Sequence, residues 1–519
     1  MASDEKPAAD TPQDAQAQQA PIQPEPASRP DPDSANALQK ELAVVEEGFL
    51  KNEGRIPNPE EAIEALGIPN WRELEKKYVA LLFCLTATRN CMDRASIGQA
   101  RLSTLDEDLN LAGSDFSTAV SILSIGYVLG QLPSNMLITK IRPSIYLCSM
   151  ALVWSGVSAA TCGVTDSKGL IGVRFALGLV EAPLLPGAVY LLGCWYTRKE
   201  VALRMAILYS AQTLAFCSAG LIAAAIYATL EKVHGLAGWQ WLFIILVVTG
   251  AGFALICVFI LPDYPTSTTG SARWTMTEDM RRIAAARILA DRPSTPKGKA
   301  GAWEGLKLSV RDPKLWVLTM MNICISAAYG FSNFYPSIVR GLADSWGFSS
   351  TIALLLTAPP YIFAAIGSYI NAWHSDKTKE RGLHYAIPVL VACTGFIVCL
   401  ATSSPEARYG ASFIYVGGMY IANPLIMGYV SGVLGKTPEK RAVSVALCNL
   451  ISQLGNFTAP YMFQPSEDPR YISAFIGMMS FGIASAGCAI GLKWWLVRSN
   501  KKLYKAAERE GTAYPPYVT

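Results

Sequence analysis

Charged residues and histidines are both scarce in this sequence. Only 16% of the 519 residues are Asp, Glu, Lys or Arg, whereas soluble globular proteins carry about 25%. The histidines are His234, His374 and His384, and none of them has a second metal-ligating side chain at the usual spacing. No nucleophile–base set accompanies them either, so an enzyme is the least favoured class, and neither a metal nor a cofactor is predicted.

Three further signals are missing. Residues 1–16 are acidic and polar, without the basic and apolar regions of a secretory signal. The 12 cysteines include no CxxC pair, so they are interpreted as small core residues and not as disulfides or metal ligands. The segment GVLGKT at 432–437 has Val430 where a phosphate-binding loop needs glycine, and Pro438 follows it directly, so it predicts no nucleotide site.

Apolar residues are abundant instead, at 51% of the chain. They form twelve runs, each long enough to cross about 30 Å of hydrocarbon at about 1.5 Å per residue. A polar segment separates six runs from the other six, and the runs are approximately 78–98, 115–138, 145–164, 168–191, 202–228, 239–261, 315–338, 350–373, 385–402, 409–433, 442–463 and 472–496. The sequence therefore predicts an all-α membrane protein with twelve transmembrane helices in two six-helix halves.

The distribution of positive charge predicts the orientation of these helices. Six short loops on one side carry one Lys or Arg each, and the segments on the other side carry clusters, as cytoplasmic segments do. Both termini and the central loop are therefore predicted to be cytoplasmic. The predicted division is a cytoplasmic tail that is disordered and then forms short helices (1–77), an N-terminal half (78–262), a central loop (263–313), a C-terminal half (314–496) and a second cytoplasmic tail (497–519).

The first run contains charges that a membrane span normally excludes. Arg89, Asp93 and Arg94 lie in its second half, and each ionised side chain near the bilayer centre costs about 2.5–3.5 kcal/mol. Arg89 falls near mid-depth, where a guanidinium can bind a carboxylate through two parallel hydrogen bonds. It is a candidate to bind an anionic substrate, and a snorkelling or internally paired arginine is the alternative.

Two charged residues of the fourth run form a second candidate group. Arg174 lies at a depth similar to that of Asp93, counted from the outer ends of their runs, so the two are predicted to pair. Glu181 follows Arg174 by two helical turns, shares its face and is flanked by apolar residues. Such a carboxylate can load and release a proton, although a neutralised cluster that only fixes helix packing is the alternative.

Several sequence words in a fixed order resemble a known family. They include MDRASIGQA at 92–100, SIGYVLGQLPSN at 124–135, RFALGLVEAPLLPGAVYLLGCWYTRKE at 174–200, LPDYP at 261–265 and SDKTKERG at 375–382. With these words the chain resembles the anion:cation symporter branch of the major facilitator superfamily, particularly the fungal allantoate permease-like transporters. The resemblance implies alternating access and assigns proton or ion coupling to Asp93, Arg174 and Glu181. The chain departs from the family at Gln131, where the family usually has Glu.

The SDKTKERG word resembles a loop motif of the superfamily in which an acidic residue and basic partners latch helices in one conformation. The resemblance makes Asp376, Lys377 and Arg381 candidates for gating. The alternative is an ordinary cytoplasmic loop that is rich in positive charge.

Polar side chains of the seventh and eleventh runs are further candidates to line a pathway. Side chains of this kind more often bond neighbouring helices than ligands, but those of the eleventh run recur at helical spacing. The candidate substrate-binding residues of the C-terminal half are Asn333, Tyr335, Asn449 and Gln453.

Together these features predict proton-coupled symport of a small organic anion, a carboxylate such as a vitamin, a ureide or an aromatic acid. An exporter of a fungal metabolite is one alternative, and a transport-like receptor that senses a nutrient is another. The predicted partners are the organic anion, protons and the lipid bilayer, because the central loop is too mixed in charge for a nucleic-acid site. The protein is expected to be a monomer in the plasma membrane, the usual location for the family it resembles.

Overall fold

The fold is described here from a computed structural model. The structure describes residues 92–138, 141–196, 198–264, 277–291, 302–378, 380–434, 438–468 and 470–510, together with Val44 and Glu61. Arg89 and nearly all of the predicted tail 1–77 therefore lie outside the described residues.

The N-terminal half is built from eight α-helices among its described residues. They are α1 (Met92–Ala100), α2 (Leu105–Asp108), α3 (Asp115–Ile138), α4 (Pro143–Ala160), α5 (Ser167–Glu181), α6 (Leu184–Trp195), α7 (Arg198–Thr229) and α8 (Gly238–Ile260). Local chemistry explains several starts: Pro143 opens α4, and the Asp166 carboxylate accepts a hydrogen bond from the Gly169 N–H at the start of α5.

The central loop and the C-terminal half are also helical. The loop contains α9 (Glu278–Asp291) and α10 (Ala302–Val310), and the half contains α11 (Pro313–Ala328), α12 (Tyr335–Ser345), α13 (Ser350–Thr378), α14 (Gly382–Ala401), α15 (Pro405–Val433), α16 (Pro438–Thr458) and α17 (Ile472–Glu510). Asp312 caps α11 through the Lys314 N–H, and Ser404 caps α15 through the Ala407 N–H.

The prediction of an all-α membrane protein is confirmed, and the helices of the described residues fit the predicted division into twelve spans. Eight stretches of the described residues are long and apolar enough to cross a membrane: Pro143–Gly163, Ser167–Leu192, Gly238–Phe259, Pro313–Asn333, Ser350–Thr378, Gly382–Ala401, Pro405–Val433 and Ile472–Lys505. The second, fifth and eleventh predicted spans coincide with α3, α7 and α16, and the first is described from Met92 onwards. Large apolar side chains face outwards, as lipid contact requires; Val248 and Phe259 are 65% and 68% exposed.

Two predicted spans are interrupted in the structure. The fourth span breaks after Glu181, because Pro183 cannot donate the backbone hydrogen bond that would continue α5, and α6 begins at Leu184. The seventh span changes from α-helix to the 3₁₀-helix Tyr329–Asn333 before α12 begins. Each break lies within a membrane span and beside a residue that the sequence marks as a candidate.

Glycines bring the second and fourth spans into backbone contact. A side chain on Gly126 would collide with the Phe175 carbonyl oxygen, and one on Gly178 would collide with the Leu123 carbonyl oxygen. A side chain on Gly130 would lie 2.6 Å from the Leu179 carbonyl oxygen. This close approach fixes the height of α5 against α3, and with it the positions of the charged residues of α5.

The two halves contact each other at the end where α3 begins and α16 finishes. The Ser117 hydroxyl donates a hydrogen bond to the Pro460 carbonyl oxygen (3.0 Å), and the Ser121 hydroxyl donates one to the Phe457 carbonyl oxygen (2.9 Å). These four residues define what we call the closed end of the bundle.

Aromatic packing and a glycine complete the closed end. Phe116 of α3 packs edge-on against Phe334 at 5.5 Å between ring centroids, and Phe334 stacks on Phe463 at 4.2 Å. A side chain on Gly98 of α1 would collide with the Asn333 carbonyl oxygen. The backbones of the first and seventh spans therefore touch across the boundary between the halves.

Candidate transport site

Arg174 and Glu181 lie on one buried face of α5. Only 2% of the Arg174 surface and 9% of the Glu181 surface is exposed, and the seven-residue separation places both on the same side of the helix. The Arg174 guanidinium carbon lies 5.8 Å from the ring centroid of Phe243 on α8, within range of a cation–π interaction. The structure thus buries a cation and a carboxylate on one side of the fourth span.

Glu181 occupies the last turn of α5, immediately before the helix break. The facing helix α3 brings Gln131 into the same region, since the preceding residue Gly130 packs against Leu179 and Ala182. Gln131 is itself buried, with 4% of its surface exposed. The α3 residue at this position is therefore an amide and not a carboxylate.

The candidates of the first span, Asp93 as partner of Arg174 and Arg89 as anion contact, are only partly described. Asp93 belongs to α1, but its side chain is outside the described residues, as is the whole of Arg89. The end of α1 is held against α7, where the Tyr227 hydroxyl donates a hydrogen bond to the Gln99 carbonyl oxygen (3.1 Å). The pairing of Asp93 with Arg174 and the anion contact of Arg89 stay predictions.

The four candidates of the C-terminal half occupy different environments. Tyr335 is fully buried and its hydroxyl donates to the Ser412 hydroxyl oxygen at 3.0 Å. Asn333 is half-buried and presents its carbonyl to α1 at the closed end. Gln453 accepts a hydrogen bond from the Asn456 amide (2.9 Å) on the same helix, and Asn449 is half-buried one turn before it.

A group of four aromatic residues joins the halves near mid-span, and sequence reasoning missed it as a group. We call it the aromatic cage: Phe216 of α7, Tyr329 of the 3₁₀-helix, Tyr361 of α13 and Tyr420 of α15. Tyr420 contacts the rings of Tyr329 and Tyr361 at 4.4 Å and 5.2 Å, and Phe216 stacks on Tyr361 at 5.6 Å. The members come from four separate spans, so no local pattern in the sequence marks them.

The gating candidates lie together between α13 and α14, at the end opposite the closed end. The Arg381 guanidinium contacts the Asp376 carboxylate at 3.5 Å, and the Lys377 ammonium lies 5.2 Å from the ring centroid of Trp373. Arg381 also rests on α15 where Gly428 leaves room for it, because a side chain at that glycine would collide with the guanidinium. Burial lowers the pKa of Arg381, although Asp376 opposes that shift.

Glu380 is the centre of this loop, and sequence reasoning missed it. Its carboxylate accepts hydrogen bonds from the Lys493 ammonium (2.8 Å), the Leu383 N–H (2.7 Å) and the His384 ring (2.5 Å). Burial by itself would raise the pKa of Glu380, but these partners outweigh it and the net shift is downward. The His374 ring extends the chain, so we name Glu380, Lys493, His384 and His374 the C-terminal clasp.

A similar arrangement lies at the same end of the N-terminal half. Asp263, at the end of the sixth span, has 1% of its surface exposed. Its carboxylate accepts hydrogen bonds from the N–H (3.1 Å) and the hydroxyl (2.5 Å) of Ser144 at the start of α4, and its carbonyl accepts one from the Trp195 indole (2.8 Å). We name Asp263, Ser144 and Trp195 the N-terminal clasp; Asp263 lies in the LPDYP word and Trp195 in the word at 174–200.

Comparison with known proteins shows which family has this architecture. A model of the family described as Major Facilitator Superfamily matches residues 83–460. The chain belongs to the major facilitator superfamily. The crystal structure of a bacterial homologue of the human lysosomal transporter Spinster, in an inward-facing and unoccupied conformation, is similar with a TM-score of 0.58 and 17% identity, over 82% of this chain and 95% of that one. The xylose transporter XylE from E. coli is similar with a TM-score of 0.56 and 13% identity, over 80% and 97%.

Fungal members of the superfamily are more similar in sequence. The MFS transporter prlL from Fungal sp. (strain NRRL 50135) is 31% identical over 67% of this chain and 70% of the relative. The MFS-type transporter cnsO of Penicillium expansum is 27% identical over 79% and 80%, and the pantothenate transporter liz1 of Schizosaccharomyces pombe is 24% identical over 77% and 77%. This superfamily protein is therefore a multi-pass membrane transporter, and its branch within the superfamily stays a prediction.

Proposed function

We propose that this transporter is a proton-coupled symporter of a small organic anion. The observation that carries the proposal is the buried pair of Arg174 and Glu181 on one face of α5. Ionised groups are costly within a membrane span and mark ion pathways or proton relays in membrane proteins. The pair supplies both elements of such a cycle, a cation that favours an anionic substrate and a carboxylate that can carry a proton.

The proposed cycle couples the charge of Glu181 to the position of the two halves. A proton from the outer side binds a carboxylate oxygen of Glu181 and removes its negative charge, while the anion binds near Arg174 and Arg89. The proton adds one positive charge and the anion adds one negative charge, so the doubly loaded cavity keeps the net charge of the empty one. A cavity loaded with only one of them would carry an extra charge, which is costly to move within the membrane. On the cytoplasmic side the proton leaves Glu181 to water and the anion dissociates. Asp93, which we propose pairs with Arg174, would hold the cation in place meanwhile.

The predicted orientation determines on which side of the membrane the closed end lies. With both termini and the central loop cytoplasmic, the contacts of Ser117 and Ser121 with α16 lie on the extracellular side. The structure would then correspond to the arrangement that blocks access from outside. We propose that Asp376, Lys377 and Arg381 act at the opposite end, where the loop between α13 and α14 must rearrange when the cytoplasmic side closes.

The remaining candidates complete the proposal. The proposed halves are 78–262 and 314–496. In the second of them, four candidates would line the substrate pathway: Asn333, Tyr335, Asn449 and Gln453. The relative named as a pantothenate transporter supports an organic anion as cargo, because pantothenate carries a carboxylate. A monomer in the plasma membrane is the proposed working form.

Reconstitution of the purified full chain into proteoliposomes tests this function. Labelled acetate, benzoate, nicotinate and pantothenate are offered with and without an inward proton gradient. We expect at least one of these anions to accumulate with the gradient beyond its uptake by protein-free liposomes, and that excess to disappear when a protonophore is added. If an anion enters equally well with and without the gradient, proton coupling is wrong.

The variant Glu181→Gln separates coupling from binding. It cannot exchange a proton, so we expect it to lose gradient-driven accumulation and to keep exchange of labelled for unlabelled anion. Asp344→Asn is the matched control, because Asp344 is a carboxylate that is 52% exposed and pairs with Arg340 on the surface. Accumulation by Glu181→Gln at the rate of the control would contradict the role of Glu181.

A further inference from the structure

The aromatic cage lies on the boundary that alternating access must move. Tyr329, Tyr361 and Tyr420 belong to the C-terminal half, and Phe216 reaches them from α7 of the N-terminal half. Phe216, Tyr361 and Tyr420 are each close to the middle of a long helix, so the cage lies near mid-depth. Mid-depth at the interface of the repeats is where transporters of this architecture hold their substrates.

Phe216 is seated between two tyrosine rings in the geometry that aromatic pairs prefer. Its ring is nearly parallel to that of Tyr361 (19°, 5.6 Å) and nearly perpendicular to that of Tyr420 (74°, 5.9 Å). Phe216 therefore fills a slot with two walls: Tyr361 stacks on its ring, and Tyr420 makes an edge-to-face contact with it. Since Phe216 belongs to the other half, a movement of the halves withdraws it and leaves both tyrosine faces open to another flat ring.

Hydroxyl groups at the rim of the cage can form hydrogen bonds with the substituents of such a ring. The Tyr420 hydroxyl donates to the Ser332 hydroxyl oxygen (3.3 Å), which in turn donates to the Tyr329 carbonyl oxygen (2.6 Å). The rings of Tyr329 and Tyr361 both contact the ring of Tyr420, at 4.4 Å and 5.2 Å between centroids. A tyrosine hydroxyl both donates and accepts, so the slot offers hydrogen bonds at its rim and π surface at its walls.

We propose that the aromatic cage binds a flat conjugated ring of the transported solute, which makes the substrates aromatic or heteroaromatic carboxylates. This inference rests on the proposed transport of organic anions and names their class. The four cage residues carry no formal charge, so the carboxylate is left to Arg174 and the first span. A saturated ring of the same size gains the buried area alone, whereas a conjugated ring also gains stacking and edge contacts.

Three small probes separate the contribution of the ring from that of the charge. Benzoate has both the conjugated ring and the carboxylate, cyclohexanecarboxylate keeps the carboxylate on a saturated ring, and benzamide keeps the ring without the charge. Binding is measured as the rise in melting temperature of the purified full chain and as inhibition of anion exchange in proteoliposomes. We expect benzoate to bind about two- to tenfold more tightly than cyclohexanecarboxylate, the range expected for one aromatic contact.

Variants in the cage decide where that preference arises. Tyr361→Leu and Tyr420→Leu each remove one ring that lines the slot, and we expect both to reduce the preference for benzoate. Tyr361→Phe keeps the ring and should keep the preference. Phe363→Leu is the matched control, since Phe363 is on α13 as well and pairs with Phe413, but is 51% exposed on the outside of the bundle.

The outcomes distinguish this inference from the proposed function. Equal binding of benzoate and cyclohexanecarboxylate overturns the inference and leaves anion transport standing. Binding of benzamide as tight as that of benzoate supports the ring site and overturns the anion. If neither carboxylate binds, both fail. A preference for benzoate that Tyr420→Leu and Phe363→Leu reduce equally also overturns the assignment to the cage.

Discussion

His374 and His384 share a single hydrogen bond across the α13–α14 turn, with Nδ1 of His374 2.6 Å from Nε2 of His384. One of these nitrogens must carry a hydrogen and the other must be bare, so the bond is lost when both rings are fully protonated. Nδ1 of His384 contacts Glu380, which also binds Lys493. The eighth, ninth and twelfth spans are therefore joined by a chain of polar contacts. The contact between the two histidines is intact only while at least one of the two rings is neutral.

The hydrogen bond between the two rings should stabilise the turn between α13 and α14. His374→Ala removes one partner of that bond, so we expect the free energy of unfolding of the purified protein to fall by about 1 kcal/mol, measured by thermal melting in detergent. His234→Ala is the control, because His234 is exposed in the short helix Val233–Gly235. Equal melting temperatures for the two variants would refute the role of the pair.

The ion pair of Asp312 and Lys440 should stabilise the start of the seventh span. Its atoms lie 2.6 Å apart, with the side chains 16% and 10% exposed. Burial opposes ionisation of Asp312, but the hydrogen bond from Lys440 and the charges nearby outweigh it and lower the pKa of Asp312 below its ordinary 3.8. Because the folded pKa is the lower one, the stabilisation is complete above about pH 4 and is lost as the pH falls through the folded value.

Asp312→Asn tests that pair at neutral pH. Asparagine can still cap α11, so the variant removes the charge and keeps the cap. We expect the free energy of unfolding to fall by about 2 kcal/mol, measured by thermal melting in detergent, with the deficit shrinking towards pH 3. The control Asp344→Asn should change little. A deficit that is unchanged in acid would assign the effect to something other than ionisation.

Gly428 should be necessary for the loop between α13 and α14. A methyl group there would occupy the place of the Arg381 guanidinium, whereas a methyl group at Gly410 of the same helix meets nothing within 4 Å. We therefore expect Gly428→Ala to slow anion exchange several-fold and Gly410→Ala to leave it unchanged. Equal rates for both variants would mean that Arg381 moves aside without consequence.

Gly98 should control the closed end. A methyl group there meets the Asn333 carbonyl oxygen, which is backbone and cannot move aside cheaply, and one at Gly156 meets nothing within 4 Å. Ser117→Cys reports the outcome, because Ser117 is 5% exposed when the end is closed. We expect a membrane-impermeant maleimide to label that cysteine faster in Gly98→Ala cells than in Gly156→Ala cells. Unchanged labelling would show that the end closes despite the added methyl group.

Sequence reasoning was strongest where a single physical rule acts along one helix. The cost of apolar surface in water and of backbone groups in lipid identified the spans, and helical periodicity placed Arg174 and Glu181 on one face. The break after Glu181 has a sequence signal in Pro183, but the apolar run continues across it and predicts one uninterrupted helix. Whether a proline interrupts a helix depends on whether the backbone carbonyl that loses its hydrogen bond finds another partner, and the sequence does not show this.

Long-range contacts were beyond the sequence. The loop motif drew attention to Asp376, but Glu380 holds the loop because Lys493, more than a hundred residues later, reaches it. The cage required four spans to converge, and burial of aromatic residues alone does not say which ones meet. Arg89 and the side chain of Asp93 lie outside the described residues, so their roles stay predictions.

The two clasps also bear on how the chain is made. Every group of the N-terminal clasp, from Ser144 to Asp263, has been synthesised when the sixth span is finished. The first half can therefore tie its third and sixth spans together before the ribosome begins the second half. The C-terminal clasp must wait for Lys493, close to the end of translation. The order of synthesis thus allows the N-terminal clasp to form first, since its residues all precede the C-terminal half.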